Sequence, residues 1–258
     1  MPASHITVAT QPPELTAEDI TRFGLIALST DLTIEGDARR VLPDDVALHV
    51  NRIEFANPTT PENLAAMAPR LTQAASLVVP DQPLAAIGFG CTSGSAVIGD
   101  AEMDHAVAVA RPGVPLVTPA RAARQAFDEL GARRIAVMTP YLPETTAALN
   151  GYFESHGVNV VRAHCLGIGS DQIMGRITYD SIVEAAVSAD VPEADAVFLS
   201  CTSLPAMPVI ERIEARIGKP VLSSNQVTFW AMLRAAGLTA RPGYGCLLAR
   251  LKEGDDAA

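Results

Sequence analysis

Two of the four cysteines stand in nearly the same setting. Cys91 lies in Gly90-Cys91-Thr92-Ser93-Gly94-Ser95 and Cys201 in Ser200-Cys201-Thr202-Ser203-Leu204-Pro205, each after an apolar run. A strand that delivers Cys-Thr-Ser to the first turn of a helix sets the thiol beside unpaired backbone N–H groups and a partial positive charge. Such a setting predicts a thiol pKa below the usual value, and so a thiolate. The hydroxyls of Thr92, Ser93, Thr202 and Ser203, with those N–H groups, could hold a substrate carboxylate or a developing enolate. Two thiols facing one another across a pocket could take a proton from a carbon beside a carboxylate and return one to its opposite face. They could equally add to an activated double bond, allow rotation and leave. A single cysteine at a strand end is more often a small buried packing residue, and the repetition of the setting is what argues for chemistry. A disulfide between the two fits poorly with a reducing compartment. There is no CxxC and no paired-His spacing for zinc, so no metal is expected. Cys165, at the end of another apolar run, and Cys246, in GYGC, read as packing residues.

The elements that must position these thiols recur as two copies. Phe23–Leu28 parallels Ile135–Thr139, Val46–Ile53 parallels Val158–Ala163, Ala85–Gly90 parallels Ala196–Ser200, and Pro115–Thr118 parallels Pro220–Ser223. Four matches in one order imply an internal duplication. Helical patterns fill the gaps: Ala120–Leu130 stopping at Gly131, Pro205–Ile217 stopping at Gly218, and Asn225–Ala236 stopping at Gly237. Strands alternating with helices give parallel sheets. The expected α/β fold is two pseudo-symmetric, flavodoxin-like lobes, each a four-stranded parallel sheet with helices on both faces. The expected boundaries are 22–120 and 121–250, with Cys91 and Cys201 at carboxyl strand ends on either side of an active-site cleft. Residues 1–20 and 252–258 read as an extended arm and a loose tail.

Composition narrows the partners. The 258 residues carry a formal charge of −10, and the only lysines are Lys219 and Lys252. Nucleic acid, which needs a basic footprint, is not an expected partner; a small carboxylate, held by N–H groups, is. The run from Gln82 to Gly99 is uncharged but broken by Pro83 and four glycines, so it reads as strand, turn and helix start rather than a membrane span. No apolar leader precedes Pro13, and a cytoplasmic location is expected. Neither a dinucleotide fingerprint nor a Walker loop occurs, so no cofactor is expected.

The segments GLIALSTDLTIE (24–35), GFGCTSGSAVIG (88–99), MTPYLPET (138–145) and SCTSLPAMPVIERIEARIGKPVLSSNQ (200–226) resemble the aspartate/glutamate racemase superfamily. Within it they look like the maleate isomerase and arylmalonate decarboxylase branch, over roughly residues 22–250. Arylmalonate decarboxylases keep only the second cysteine; retention of both here is similar to the isomerases and racemases. The resemblance implies a nucleophilic role for Cys91, a protonating role for Cys201, a carboxylate contact for Tyr141, and a homo-oligomer. It also implies two departures. Asp31 and Gln172 stand where the isomerases carry substrate-binding asparagines. A carboxylate at 31 would repel a dicarboxylate by about 4 kcal/mol at roughly 4 Å and an effective dielectric of about 20, and would favour a substrate bearing a cationic nitrogen. The competing reading of Asp31 is an Asx-turn or helix cap. The chain most resembles the ectoine-utilisation protein A subgroup, which implies an ectoine- or hydroxyectoine-like substrate. Maleate isomerisation, decarboxylation, and a ligand-binding protein on the same scaffold are the alternatives.

Overall fold

The computed structural model describes residues 9–15 and 20–251, so most of the expected arm and all of the tail lie outside the described residues. The first half contributes β1 (Thr21–Leu28), α1 (Ile34–Val41), β2 (Val46–Ile53), α2 (Pro61–Ala65), α3 (Leu71–Ser76), β3 (Ala86–Gly90), α4 (Thr92–Ile98), α5 (Asp100–Ala110) and β4 (Leu116–Val117). After α6 (Pro119–Leu130), the second half supplies β5 (Arg134–Thr139), α7 (Pro143–Ser155), β6 (Asn159–Cys165), α8 (Asp171–Met174) and α9 (Tyr179–Ala189). It closes with β7 (Ala196–Leu199), α10 (Ile210–Ile217), β8 (Val221–Ser223) and α11 (Ser224–Ala235).

Both sheets are wholly parallel, ordered β2-β1-β3-β4 and β6-β5-β7-β8, so the two halves share one topology. The eight expected strands are all present. Strand β1 shows how the period of two distributes them: Phe23, Leu25 and Ala27 enter one apolar core, while Ile26 and Leu28 enter a second on the other face. A strand buried on both faces reads as a continuous apolar run, which FGLIAL is.

The helices cross between the halves. Phe127 on α6 packs edge-to-face on Phe153 of α7 and Phe198 of β7, at centroid distances of 5.6 and 5.8 Å. Helix α11 returns from the second half to lie on β3. There the absence of a side chain at Gly88 admits it, because a Cβ would stand 2.8 Å from Met232 Sδ. Ser224 to Leu233 are all buried, so α11 is a central helix rather than an outer one. One apolar core therefore runs through both halves.

Two expectations need correction. The helix expected over 205–217 begins as a short tight turn, Met207–Val209, and becomes α-helical only at Ile210; Pro205 and Pro208 withhold backbone donors from the earlier turns. Consequently no helix starts directly after Cys201. The ring cluster predicts that Phe127→Ala destabilises the protein by about 3–5 kcal/mol in urea denaturation. A change under about 1 kcal/mol would show that α6 is not anchored by it.

Candidate active site

Each strand end presents its cysteine differently. Cys91 caps α4 as expected: its backbone is extended, and the Gly94 N–H donates to its Sγ at 3.2 Å. Gly94 must stay bare, since a Cβ there would lie 2.9 Å from Cys91 Sγ. Cys201 instead has φ +113°, a region that L-residues rarely adopt and that costs about 1–3 kcal/mol. Its N–H donates to Ser224 Oγ at 3.0 Å, and its Sγ lies 3.8 Å from Met174 Sδ. Nothing in the sequence distinguishes this backbone from that of Cys91.

Reciprocal hydrogen bonds tie the two strand ends together. Thr92 Oγ1 donates to Ser224 Oγ at 2.6 Å, so Ser224 holds both the loop of Cys91 and the N–H of Cys201. In return Thr202 Oγ1 donates to the Gly90 carbonyl at 2.9 Å. Asn225 adds a brace, donating to the Thr202 carbonyl and to Asp37 Oδ2 at 2.8 Å each. These hydroxyls of Thr92 and Thr202 are thus engaged in joining the halves. Asn225 and Ser224 were not singled out from the sequence; their position directly after the repeated strand β8 was the available signal.

Tyr141, Asp31, Ser93 and Ser203 gather around the thiols. The Tyr141 hydroxyl lies 3.2 Å from Ser200 Oγ, and the phenol faces both cysteines. Burial, reinforced by those two thiols, pushes its pKa well above the usual value, leaving a neutral donor. Ser93 Oγ is 3.8 Å from Cys91 Sγ. Asp31, only 1% exposed, divides its work. Oδ1 accepts from Thr33 N at 2.7 Å and Ile34 N at 2.9 Å, which is the turn-forming role, while Oδ2 is buried without a partner. Ser203 Oγ is likewise buried and unpartnered among the described residues.

Gln172 is not brought to this group. Its side chain is exposed and accepts from Asn57 Nδ2 at 2.7 Å. Its neighbour Asp171 is the buried residue, 4% exposed, accepting from Thr30 Oγ1 at 2.6 Å. A one-residue shift along α8 separates the two positions, and sequence spacing alone did not settle the register there.

The site is enclosed rather than an open cleft: Cys91 and Cys201 are 5% and 4% exposed. Loops from opposite halves meet around it through Thr59 N to Gly169 O and Asp171 N to Asn57 Oδ1. Enclosure corrects the expected thiol chemistry. Burial pushes Cys91 up to about 12 against the lowering effect of Gly94 N–H and Ser93, and nearby Asp171 and Asp31 add to the rise. Cys201 is pushed well above its usual value by burial, then by Asp171 and Asp31. Desolvation here outweighs the helix N-terminus, so both thiols are neutral in the unliganded protein at pH 7. The ultraviolet thiolate difference spectrum between wild type and Cys91→Ser should therefore show no titration between pH 6 and pH 9. A midpoint near pH 7 would contradict this.

Comparisons with known proteins agree with this architecture. The family model described as arylmalonate decarboxylase matches residues 41–248. The maleate isomerase of Alcaligenes faecalis is 26% identical over 248 residues, covering 90% of this chain and 97% of its own. The arylmalonate decarboxylase of Bordetella bronchiseptica is 33% identical over 139 residues, 52% of this chain and 58% of its own. A Nocardia farcinica maleate cis-trans isomerase variant, solved with a covalently bound succinylcysteine intermediate, superposes with a TM-score of 0.81 at 26% identity. That superposition covers 89% of this chain and 98% of that one. On the match of its sequence over 41–248, carried on the same paired parallel sheets, this chain belongs to the arylmalonate decarboxylase family.

Proposed function

We propose that this protein is a cofactor-independent isomerase in which Cys91 and Cys201 act on opposite sides of one carboxylate substrate bearing a nitrogen. The observation that carries this reading is the reciprocal bonding of the two Cys-Thr-Ser loops, which fixes both thiols at the carboxyl ends of equivalent strands β3 and β7. The repeats 22–120 and 121–250 then serve as two half-sites, each supplying one thiol. Four free cysteines fit a reducing compartment such as the cytoplasm.

In a racemisation, one cysteine as thiolate removes the proton beside the carboxylate, and the electron pair remains on the substrate as an enolate. Tyr141, a neutral phenol, and Ser203, with a free hydroxyl, are placed to donate hydrogen bonds to that anion. The second cysteine, as thiol, delivers its proton to the opposite face and becomes the thiolate. Turnover in the other direction restores the first arrangement, so atoms and charge balance without a cofactor.

The nitrogen-bearing substrate rests on Asp31. A buried carboxyl with one unpartnered oxygen disfavours a dicarboxylate and suits an ectoine- or hydroxyectoine-like compound, in line with the resemblance to ectoine-utilisation protein A. The second reading is maleate cis-trans isomerisation, favoured by the full-length similarity to maleate isomerases. Proton NMR in D2O with hydroxyectoine, ectoine, aspartate, glutamate and maleate separates the two. The expected result is loss of the signal beside a carboxylate of a nitrogen-bearing compound, abolished by Cys91→Ser and by Cys201→Ser. Conversion of maleate to fumarate would transfer the assignment to the second reading, and exchange that survives both substitutions would refute the two-thiol mechanism.

A further inference from the structure

Asp171 lies on α8 in the second half, and Asp31 follows β1 in the first. Thr30, the residue before Asp31, donates to Asp171 Oδ2 at 2.6 Å, so the two acidic residues flank one seam. Each raises the pKa of both cysteines through space, which places both beside the thiols. No cation compensates them. Arg40 pairs with Asp37 at 3.7 Å and Arg52 with Glu35 at 2.7 Å. Asp31 and Asp171 feel hydrogen bonds, burial and, for Asp31, its acidic neighbour, with no basic group among their influences.

Buried polar groups are normally satisfied, so those that are not call for a partner. Two such atoms bracket this pair. Asp31 Oδ2 has no partner among the described residues, and Ser203 Oγ, which neighbours Asp171, has none either. Two buried carboxyls beside two thiols form a site that attracts positive charge and penalises added negative charge. A molecule with a single carboxylate and a protonated nitrogen satisfies both ends: its carboxylate toward Tyr141 and its N–H donors toward the acidic pair.

Building on the reading of a nitrogen-bearing substrate, we propose that Asp171 and Asp31 form a two-carboxyl cation subsite that takes a substrate nitrogen carrying at least two N–H donors. One N–H goes to each carboxyl. Amidinium and ammonium groups both have that chemistry, and the test below separates them. Asp171 is then a specificity-determining residue that sequence spacing had assigned to its neighbour Gln172.

The test is isothermal titration calorimetry of ectoine (amidinium), aspartate (ammonium) and maleate (no nitrogen). The proteins compared are wild type, Asp171→Asn, Asp31→Asn, the double Asn variant and Thr30→Val. Asn preserves size and leaves an oxygen for Thr30, and Thr30→Val removes that hydrogen bond while keeping the charge. Wild type should bind ectoine or aspartate more tightly than maleate. Asp171→Asn should weaken the nitrogen compound by at least about tenfold, as expected for loss of one buried charge partner. The double variant should prefer maleate, and Thr30→Val should keep the wild-type preference. Which of ectoine and aspartate binds identifies the cation type. An unchanged preference in Asp171→Asn, a loss of preference in Thr30→Val equal to that in Asp171→Asn, or wild-type preference for maleate would overturn the subsite. Proton exchange in D2O, run on the same variants, reports the two-thiol reading separately. Exchange dependent on both cysteines but insensitive to Asp171 would sink the subsite alone.

Discussion

The structure turns on the hydroxyl of Ser224. It accepts from Thr92 of one half and from the backbone N–H of Cys201 in the other, while Thr202 reaches back to the carbonyl before Cys91. Each Cys-Thr-Ser loop is therefore held by the opposite half. The strained backbone at Cys201 is kept in place by such bonds, since φ +113° persists only where surrounding contacts over-determine it. Helix α11 makes the arrangement possible. It leaves the second sheet at Ser223 with a capping box, carries Ser224 and Asn225 in its first turn, and packs against β3 at Gly88. Site geometry and the shared core are consequences of the same helix crossing over.

Enclosure sets the electrostatics. In an exposed setting the N-terminus of α4 would favour a thiolate at Cys91, but here burial and two carboxyls act the other way. The protein at rest is poised with neutral thiols, a neutral phenol and an acidic pair lacking a cation. A ligand that carries positive charge offsets the field of those carboxyls and, by the same interaction, lowers the thiol pKa toward the range where proton abstraction is possible. Substrate charge and thiol activation are thus coupled in one site. A dicarboxylate would add to the field instead.

Much of this was legible in the sequence, and the gaps have physical causes. The continuous apolar runs marked all eight strands because parallel strands are buried on both faces, and the repeat order gave the topology. Glycines 131 and 218 marked helix ends, where both adopt the left-handed conformation. The two cysteines and Tyr141 emerged from motif and resemblance. Cys201 was misread as a helix cap because Cys-Thr-Ser is the same string in both halves, whereas the prolines that follow it delay the helix. The depressed thiol pKa was misjudged because burial is a property of the assembled fold. Asp171 was passed over for Gln172 because α8 is a single turn, too short for a periodicity to set its face.

The central claim is that Cys91 and Cys201 work as one unit on one bound molecule. A double-mutant cycle on kcat/KM for the exchanging substrate tests it most directly, using Cys91→Ser, Cys201→Ser and the combination. Residues acting as a unit give losses that do not add, so the double variant should be no more impaired than the worse single variant. If the two losses multiply, the thiols contribute independently and the paired half-site account is wrong.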